Sequence, residues 1–391
     1  MHMARVLATP LLVTVACFTV SSVDVFVAAE VQQIDVFVGG MDGYDTYRIP
    51  AAVVTLQGTA LAFCEGRKRS NADAGNIDIL LKRSKDGGRT WSAQQLIWDD
   101  GKNTCGNPCA VIDQTTGAIW LLLTHNLGQD NEVDIIGKQA MGTRTVWVCR
   151  SEDDGDTWSK PIEITSTTKD PNWGWYATGP GVGIQLRHGP HKGRLVIPCN
   201  HSYDHPQGRN NATAPIGPYE HGAHVIVSDD HGKTWRLGGV VRPKVNESQV
   251  VEVAESNGTL LINSRAYFNR GRRAVATSRD GGETWTAPHD DPALIEPVCQ
   301  ASLLRYSWPK ADGKSRILFS NPASNQRDKM TVRLSYDEGR TWPVSRLLYR
   351  GPASYSCLMA LPDGQIGMLY ERDQEAKITF ASFPLGWLTG G

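Results

Sequence analysis

One eight-residue phrase constrains this chain more than any other feature. The pattern Ser-x-Asp-x-Gly-x-Thr-Trp occurs five times, as SKDGGRTW (84–91), SEDDGDTW (151–158), SDDHGKTW (228–235), SRDGGETW (278–285) and SYDEGRTW (335–342). Each copy follows an apolar, β-branched run ("DILLKRS", "TVWVCRS", "AHVIVSDD", "RRAVATSRD", "MTVRLSYD") and leads into another short extended run. That is the context of a β-hairpin. Within it, the Asp accepts hydrogen bonds from turn N–H groups and the Gly permits positive φ. The Thr suits the start of the next strand, and the Trp buries roughly 200 Å² under the turn. Every role is structural. A catalytic reading would need five equivalent sites on one chain, so the repeats are read as scaffold.

Each copy belongs to a unit of four strand-like segments. "YRIPAAVVT", "ALAFCEGR" and "DILLKRS" precede the first, and "QQLIWD" follows it. The same order recurs before each of the other four copies. After the fifth come "SYSCLMAL", "IGMLYER" and "KITFASF", with no repeat. Their missing fourth strand is supplied by "VQQIDVFV", near the other end of the chain. The prediction is an all-β fold, a six-bladed β-propeller whose ring is closed by that strand.

Charge excludes some partners. With 40 Lys and Arg against 41 Asp and Glu, the formal charge is −1. There is no bulk attraction to nucleic acid or to an anionic membrane, so any anion must be held by a local cluster. Residues 1–29 read as a cleaved signal peptide. A basic start, "MHMAR", is followed by an apolar run and by small residues before Glu30. Asp24 interrupts the run, which argues against a membrane anchor, and the residues before Cys17 fit a lipoprotein signal poorly. The expectation is a secreted or periplasmic protein, with residues 30–391 as one domain and no membrane insertion after cleavage. Seven of the eight cysteines lie beyond the signal. That odd number argues against a disulfide framework, although Cys105 and Cys109 are spaced to pair. Most of the others read as small buried hydrophobes. Sequons stand at Asn200, Asn211, Asn246 and Asn257.

Alternating strand direction sorts the polar residues. The start of a blade's first strand, the end of its second and the loop that follows share one face. The repeats lie on the other. Arg48 starts a first strand, Arg67 ends the next, and Asp73 follows in the loop. Glu247 and Arg265 occupy the corresponding positions in blade four, and Arg327 lies in the equivalent loop of blade five. Tyr355 opens the first strand of blade six and Glu371 ends its second. Any one of these would be an ordinary surface charge, but eight near one axis are not. Arg48, Arg265 and Arg327 can grip one carboxylate by bidentate hydrogen bonds, with Arg67 adding charge and Glu371 holding Arg48. Asp73 is a candidate proton donor. Tyr355 with Glu247 is a candidate nucleophile and base. A neutral phenol avoids the repulsion that an anionic nucleophile would meet beside a substrate carboxylate.

At these residues the chain resembles the exo-α-sialidase (neuraminidase) family, over essentially all of residues 30–391. "YRIP" (47–50) is similar to that family's first-arginine motif, and the five repeats look like its Asp-boxes. "NESQVVEV", "LLINSR", "SNQRDKMTVRLSYDEGRTW", "PASYSCLMAL" and "IGMLYE" resemble its later segments, in the same order. The resemblance implies hydrolysis of terminal sialic acids from glycans with retention, through a tyrosyl-enzyme intermediate; no cofactor and no metal-ligand set is identified in the sequence. It implies Arg48, Arg265 and Arg327 as a carboxylate-binding triad and Asp73 as acid/base. Tyr355 becomes the nucleophile, Glu247 its base, and Glu371 the support of Arg48. Arg69 stands beside Arg67, and Asp78 near Asp73, as alternatives. Arg67 is preferred because it ends a strand, and Asp73 because Asp78 opens the next one. A trans-sialidase would use the same residues. A non-catalytic Asp-box binding propeller would need only the repeats. "HSYDH" (201–205) and "HGAH" (221–224) have metal-ligand spacing but no identifiable third ligand, and are read as loop histidines on a rim. Trp173, Trp175 and Tyr176 are candidates for the pocket wall.

Overall fold

Each repeat closes its hairpin in the same way. The Ser Oγ accepts the glycine N–H at 2.8–3.0 Å, and the Asp Oδ1 accepts the Thr N–H at 2.8–2.9 Å, in all five copies. The glycines Gly88, Gly155, Gly232, Gly282 and Gly339 have positive φ, as the sequence predicts. So do the residues before them: Gly87, Asp154, His231, Gly281 and Glu338. Two successive left-handed residues match the twist of the flanking strands, which offsets a cost of order 1 kcal/mol where the first is not glycine. The repeats also join neighbouring sheets. A Cβ on Gly88 would lie 2.0 Å from Phe380, and one on Gly232 2.1 Å from Trp120. The tryptophans are less uniform than the sequence implies. Trp235 and Trp342 are buried, whereas Trp91, Trp158 and Trp285 are half-buried.

The computed structural model describes residues 30–205, 218–253, 258–309 and 312–390. The expected signal peptide and the sequons at Asn211 and Asn257 lie outside the described residues. The described chain holds 25 strands and three short helices, so it is all-β. The strands form sheets of seven, five, nine and four strands. The first antiparallel meander runs Thr46–Val54, Ala60–Arg67, Ile77–Ser84 and Gln95–Trp98. The 17-residue strand Val344–Ala360 pairs at its start with Asp328–Ser335 and at its end with Ile366–Arg372, fusing two meanders into the seven-stranded sheet. Gln32–Val38 pairs antiparallel with Lys377–Phe383, so the two ends of the described chain share a sheet.

Apolar side chains fill the spaces between successive meanders. One cluster joins Phe63, Leu81, Ala110 and Leu121, and another joins Val225, Val227, Ile262 and Ala276. A third joins Tyr47, Ala62 and Leu80 of the first meander to Met359, Leu369 and Phe380 of the last. All seven described cysteines are free and buried, Cys105 and Cys109 included.

Register decides which end of each strand carries the repeats. Thr46 pairs with Arg67 and Arg67 with Ile77 at one end, while Val54 pairs with Ala60 and Ala60 with Ser84 at the other. Ser84 opens the first repeat. Arg48 and Arg67 therefore lie at the opposite end from the turn.

Candidate active site

A cavity of about 190 Å³ opens where the first strands of the meanders begin. Arg48, Arg67, Asp73, Glu247, Arg265, Arg327 and Tyr355 all line it, and Glu371 lies fully buried behind Arg48. All eight sequence candidates thus come together from strands far apart in the chain. Arg69 is exposed and does not line the cavity. Asp78 is fully buried elsewhere, held by the Tyr44 hydroxyl at 2.6 Å and Lys68 at 3.0 Å. A larger cavity, about 300 Å³, lies at the opposite ends of the same strands, among Val53, Val54, Val111, Ile112, Leu358 and Met359. Its wall is mostly apolar, so the chemistry assigns the site to the smaller cavity.

Glu371 organises one side. Its Oε1 accepts Arg48 Nε at 2.9 Å and the Ile49 N–H at 2.8 Å, and its Oε2 accepts Arg48 Nη2 at 3.2 Å and the Tyr355 N–H at 3.0 Å. Burial pushes its carboxyl upward, but the Arg48 charge and these bonds outweigh burial and leave it below the usual range. Ile49 adopts φ 61°, an uncommon conformation for a β-branched residue. It coincides with a register shift between Arg48 and Ala51. The bulge aims both Arg48 and the Ile49 N–H at Glu371, and its strain is offset by those bonds.

Tyr355 and Glu247 meet at the centre. The Tyr355 hydroxyl donates to Glu247 Oε1 at 2.5 Å, and Arg265 Nη1 donates to Glu247 Oε2 at 2.8 Å and to the Tyr355 oxygen at 3.3 Å. Burial and the Glu247 charge raise the phenol well above its ordinary value, so the resting tyrosine is neutral and its proton points at the carboxylate. The guanidinium carbons of Arg48 and Arg327 lie 5.3 and 5.8 Å from the tyrosine ring centre. Three cations therefore surround one phenol.

Asp73 is 62% exposed at the cavity mouth, held by Arg67 Nη2 at 2.7 Å. Partial burial raises its carboxyl, but Arg67, Arg48 and Arg144 together lower it below the ordinary value. Arg67 is itself fixed from behind, where Glu65 Oε2 accepts Nη2 at 2.7 Å and Nε at 3.1 Å.

Several lining residues have no signal in the sequence. Glu65, Asn107, Glu132, Arg144 and Tyr267 belong to the wall. Arg144 Nη1 binds Asn126 Oδ1 at 2.6 Å, and its guanidinium lies 4.0 Å from the Trp175 ring centre. A Cβ at 106 would lie 2.8 Å from Glu65 and 2.9 Å from Arg144, so both side chains would have to shift to admit one. The Glu132 carboxyl is pushed up to about 7, by burial and by the charge of Asp73. Nothing in the motifs marks these residues.

The histidine reading needs correction. His201, His221 and His224 are not rim residues but buried on the paired strands Leu195–Asp204 and Tyr219–Ser228, whose faces are both covered. His201 Nδ1 lies 3.0 Å from His224 Nδ1, and Trp173 stacks on His201 at 3.6 Å. Burial keeps both imidazoles neutral. Of the three aromatics, only Trp175 lines the cavity, while Trp173 and Tyr176 belong to the core. The sequon residues Asn200 and Asn246 are buried in the cavity wall.

The chain is similar to known proteins over most of its length. A family model described as a BNR repeat-like domain matches residues 58–368. A sialidase of Micromonospora viridifaciens is 38% identical over 368 residues, a match covering 91% of this chain and 54% of that protein. An exo-alpha-sialidase of Arthroderma benhamiae is 32% identical over 384 residues, covering 89% of this chain and 86% of its own length. Among solved structures, the Hadza microbial sialidase Hz136 is 35% identical with a TM-score of 0.76, and the match covers 90% of this chain and 68% of that one. The chain thus spans about half the length of the Micromonospora relative.

Proposed function

The chain belongs to the sialidase family, and on that premise we propose that it is an exo-α-sialidase releasing terminal sialic acids from glycans with retention of configuration. The observation that carries the mechanism is the 2.5 Å bond from the Tyr355 hydroxyl to Glu247, among Arg48, Arg265 and Arg327. The three arginines bind the sugar carboxylate. Tyr355 attacks the anomeric carbon as Glu247 takes its proton, and the cations around the ring stabilise the developing phenolate. Asp73 protonates the leaving oxygen and then activates water for the second displacement. In the resting site Asp73 is an ionised partner of Arg67. A substrate carboxylate on Arg48 cancels one of the charges that hold it ionised, which moves Asp73 toward the protonated form its first step requires.

The scaffold of this reading is a six-bladed propeller. It is supported by the pairing of Gln32–Val38 with Lys377–Phe383 and by the apolar cluster joining the last meander to the first. Export rests on the sequence of residues 1–29 alone. The test is hydrolysis of N-acetyl, N-glycolyl and deaminated α-sialosides, with and without lactose, joined to NMR of the first-formed anomer. Enzyme trapped with a 2,3-difluoro sialic acid is then mapped by mass spectrometry. Retention with an adduct on Tyr355 is expected, and an adduct elsewhere or a β-anomer released first overturns the mechanism. Sialyl-lactose as the main product would assign transfer instead.

A further inference from the structure

One carboxylate beside the arginine triad has no place in the sequence motifs. Glu375 Oε1 lies 3.2 Å from Arg48 Nη2 and 3.6 Å from Arg327 Nη1, and accepts the Ser354 hydroxyl at 3.2 Å. It does not line the cavity, so it reaches the guanidinium groups from outside. The two arginines depend on it unequally. Arg48 has Glu371 as a bidentate partner. Arg327 has a side chain 37% exposed, and among the described residues its one ion pair is with Glu375.

The segment that delivers Glu375 is strained. It connects the strands Ile366–Arg372 and Lys377–Phe383, and Asp373, Gln374 and Glu375 have φ of 55°, 59° and 68°. Three consecutive non-glycine residues in the left-handed region are costly, and such strain persists only where surrounding bonds impose it. Here the Asp373 N–H donates to Pro352 O at 3.0 Å, and the Gly39 N–H to Ala376 O at 2.9 Å. The turn is thus tied down on both sides of Glu375.

We infer that Glu375 is a positioning residue that couples Arg48 to Arg327 and fixes the span between two arms of the carboxylate grip. The inference rests on the sialidase reading, which makes these arginines substrate-binding. Two effects of removing Glu375 oppose each other. One negative charge fewer would strengthen anion binding, but only weakly at Arg327, which is open to water, while Arg48 keeps the Glu371 carboxylate. The same change frees Arg327, and a bidentate grip then has to order a long side chain at each binding event. The ordering cost dominates.

The test is steady-state kinetics on a fluorogenic α-sialoside with wild-type protein, Glu375→Gln and Gln374→Gly, each checked for an unchanged melting transition or a modest shift. Glu375→Gln is expected to raise KM roughly three- to tenfold, with kcat within about twofold. Gln374→Gly keeps the carboxylate and relieves the turn, and should leave KM unchanged. A cycle separates positioning from a general structural effect. In an Arg327→Ala background, Glu375→Gln should change KM by less than about twofold. Unchanged or lower KM in Glu375→Gln, a fall confined to kcat, or an undiminished effect without Arg327 would each overturn the inference. Wild-type protein that neither hydrolyses the sialoside nor binds a carboxylate inhibitor would overturn the sialidase reading instead.

Discussion

Asp153 and Asp73 are both aspartates held below their ordinary pKa, at opposite ends of the strands, and the contrast between them separates scaffold from site. Asp153 is satisfied locally. Its oxygens take the Thr157 hydroxyl and N–H, and Ser151 donates to it at 2.8 Å, all within one turn. The Thr157 bonds come first in lowering it to about 2. Asp73 is held by charge rather than by its own turn, chiefly by Arg67 and at longer range by Arg48 and Arg144. A group satisfied by its own turn has nothing left to offer a ligand. A group held by the charges of other side chains changes state when one of those charges is neutralised, which is what an acid/base residue requires.

The sharpest way to break this contrast is at Tyr355. Tyr355→Phe removes the proposed attacking oxygen while keeping the buried ring, so turnover should fall by roughly a thousandfold or more, with the melting temperature nearly unchanged. Normal turnover in a folded Tyr355→Phe would end the division as drawn here. The scaffold end should behave in reverse. Trp235→Ala empties a ring that is 4% exposed and packs against Trp120, and should cost about 3–5 kcal/mol by chemical denaturation. Trp285 is only half-buried, so the same change there should cost about 2 kcal/mol. Folded protein should keep its turnover in both cases.

Arg265→Lys tests the grip. Lysine retains the charge but not the planar two-nitrogen fork that can bind a carboxylate in bidentate fashion, so a carboxylate-bearing inhibitor should bind more than about tenfold more weakly by calorimetry. Equal affinity would remove Arg265 from the triad. The smallest effect sharpens the comparison. Asp86 and Asp153 both sit near 2 because of bonds from Thr90 and Thr157. A depressed folded pKa contributes stability that is complete above the unfolded value near 4 and is lost as pH falls toward about 2. Denaturant midpoints of wild type should therefore drop across that window, and Asp153→Asn should flatten part of the drop. An unaltered slope would mean that the turn bonds do not favour the ionised form.

Much of the scaffold is legible in the sequence because its interactions are local. Ser, Asp, Gly, Thr and Trp of each repeat satisfy one another within eight residues, so spacing alone reveals them. The first of the two left-handed positions is the exception. Asp154, His231 and Glu338, each just before the repeat's glycine, take it without being glycine, since the twist of the flanking strands favours a conformation that local preference resists. The histidines of 201–224 misled for the opposite reason: their spacing resembled ligands, while strand pairing buried them.

The sequence by itself determined the repeated hairpins, the all-β class and the eight residues that carry the proposed chemistry, because residue type and strand alternation are local properties. Only the tertiary structure decided what those residues do to one another. It brought Glu371 to Arg48 across 323 positions and Glu247 to Tyr355 across 108, and set Glu375 between two arginines. A carboxylate's partner depends on which strands are packed side by side. That packing follows from burying apolar faces between meanders, which no short stretch of sequence contains.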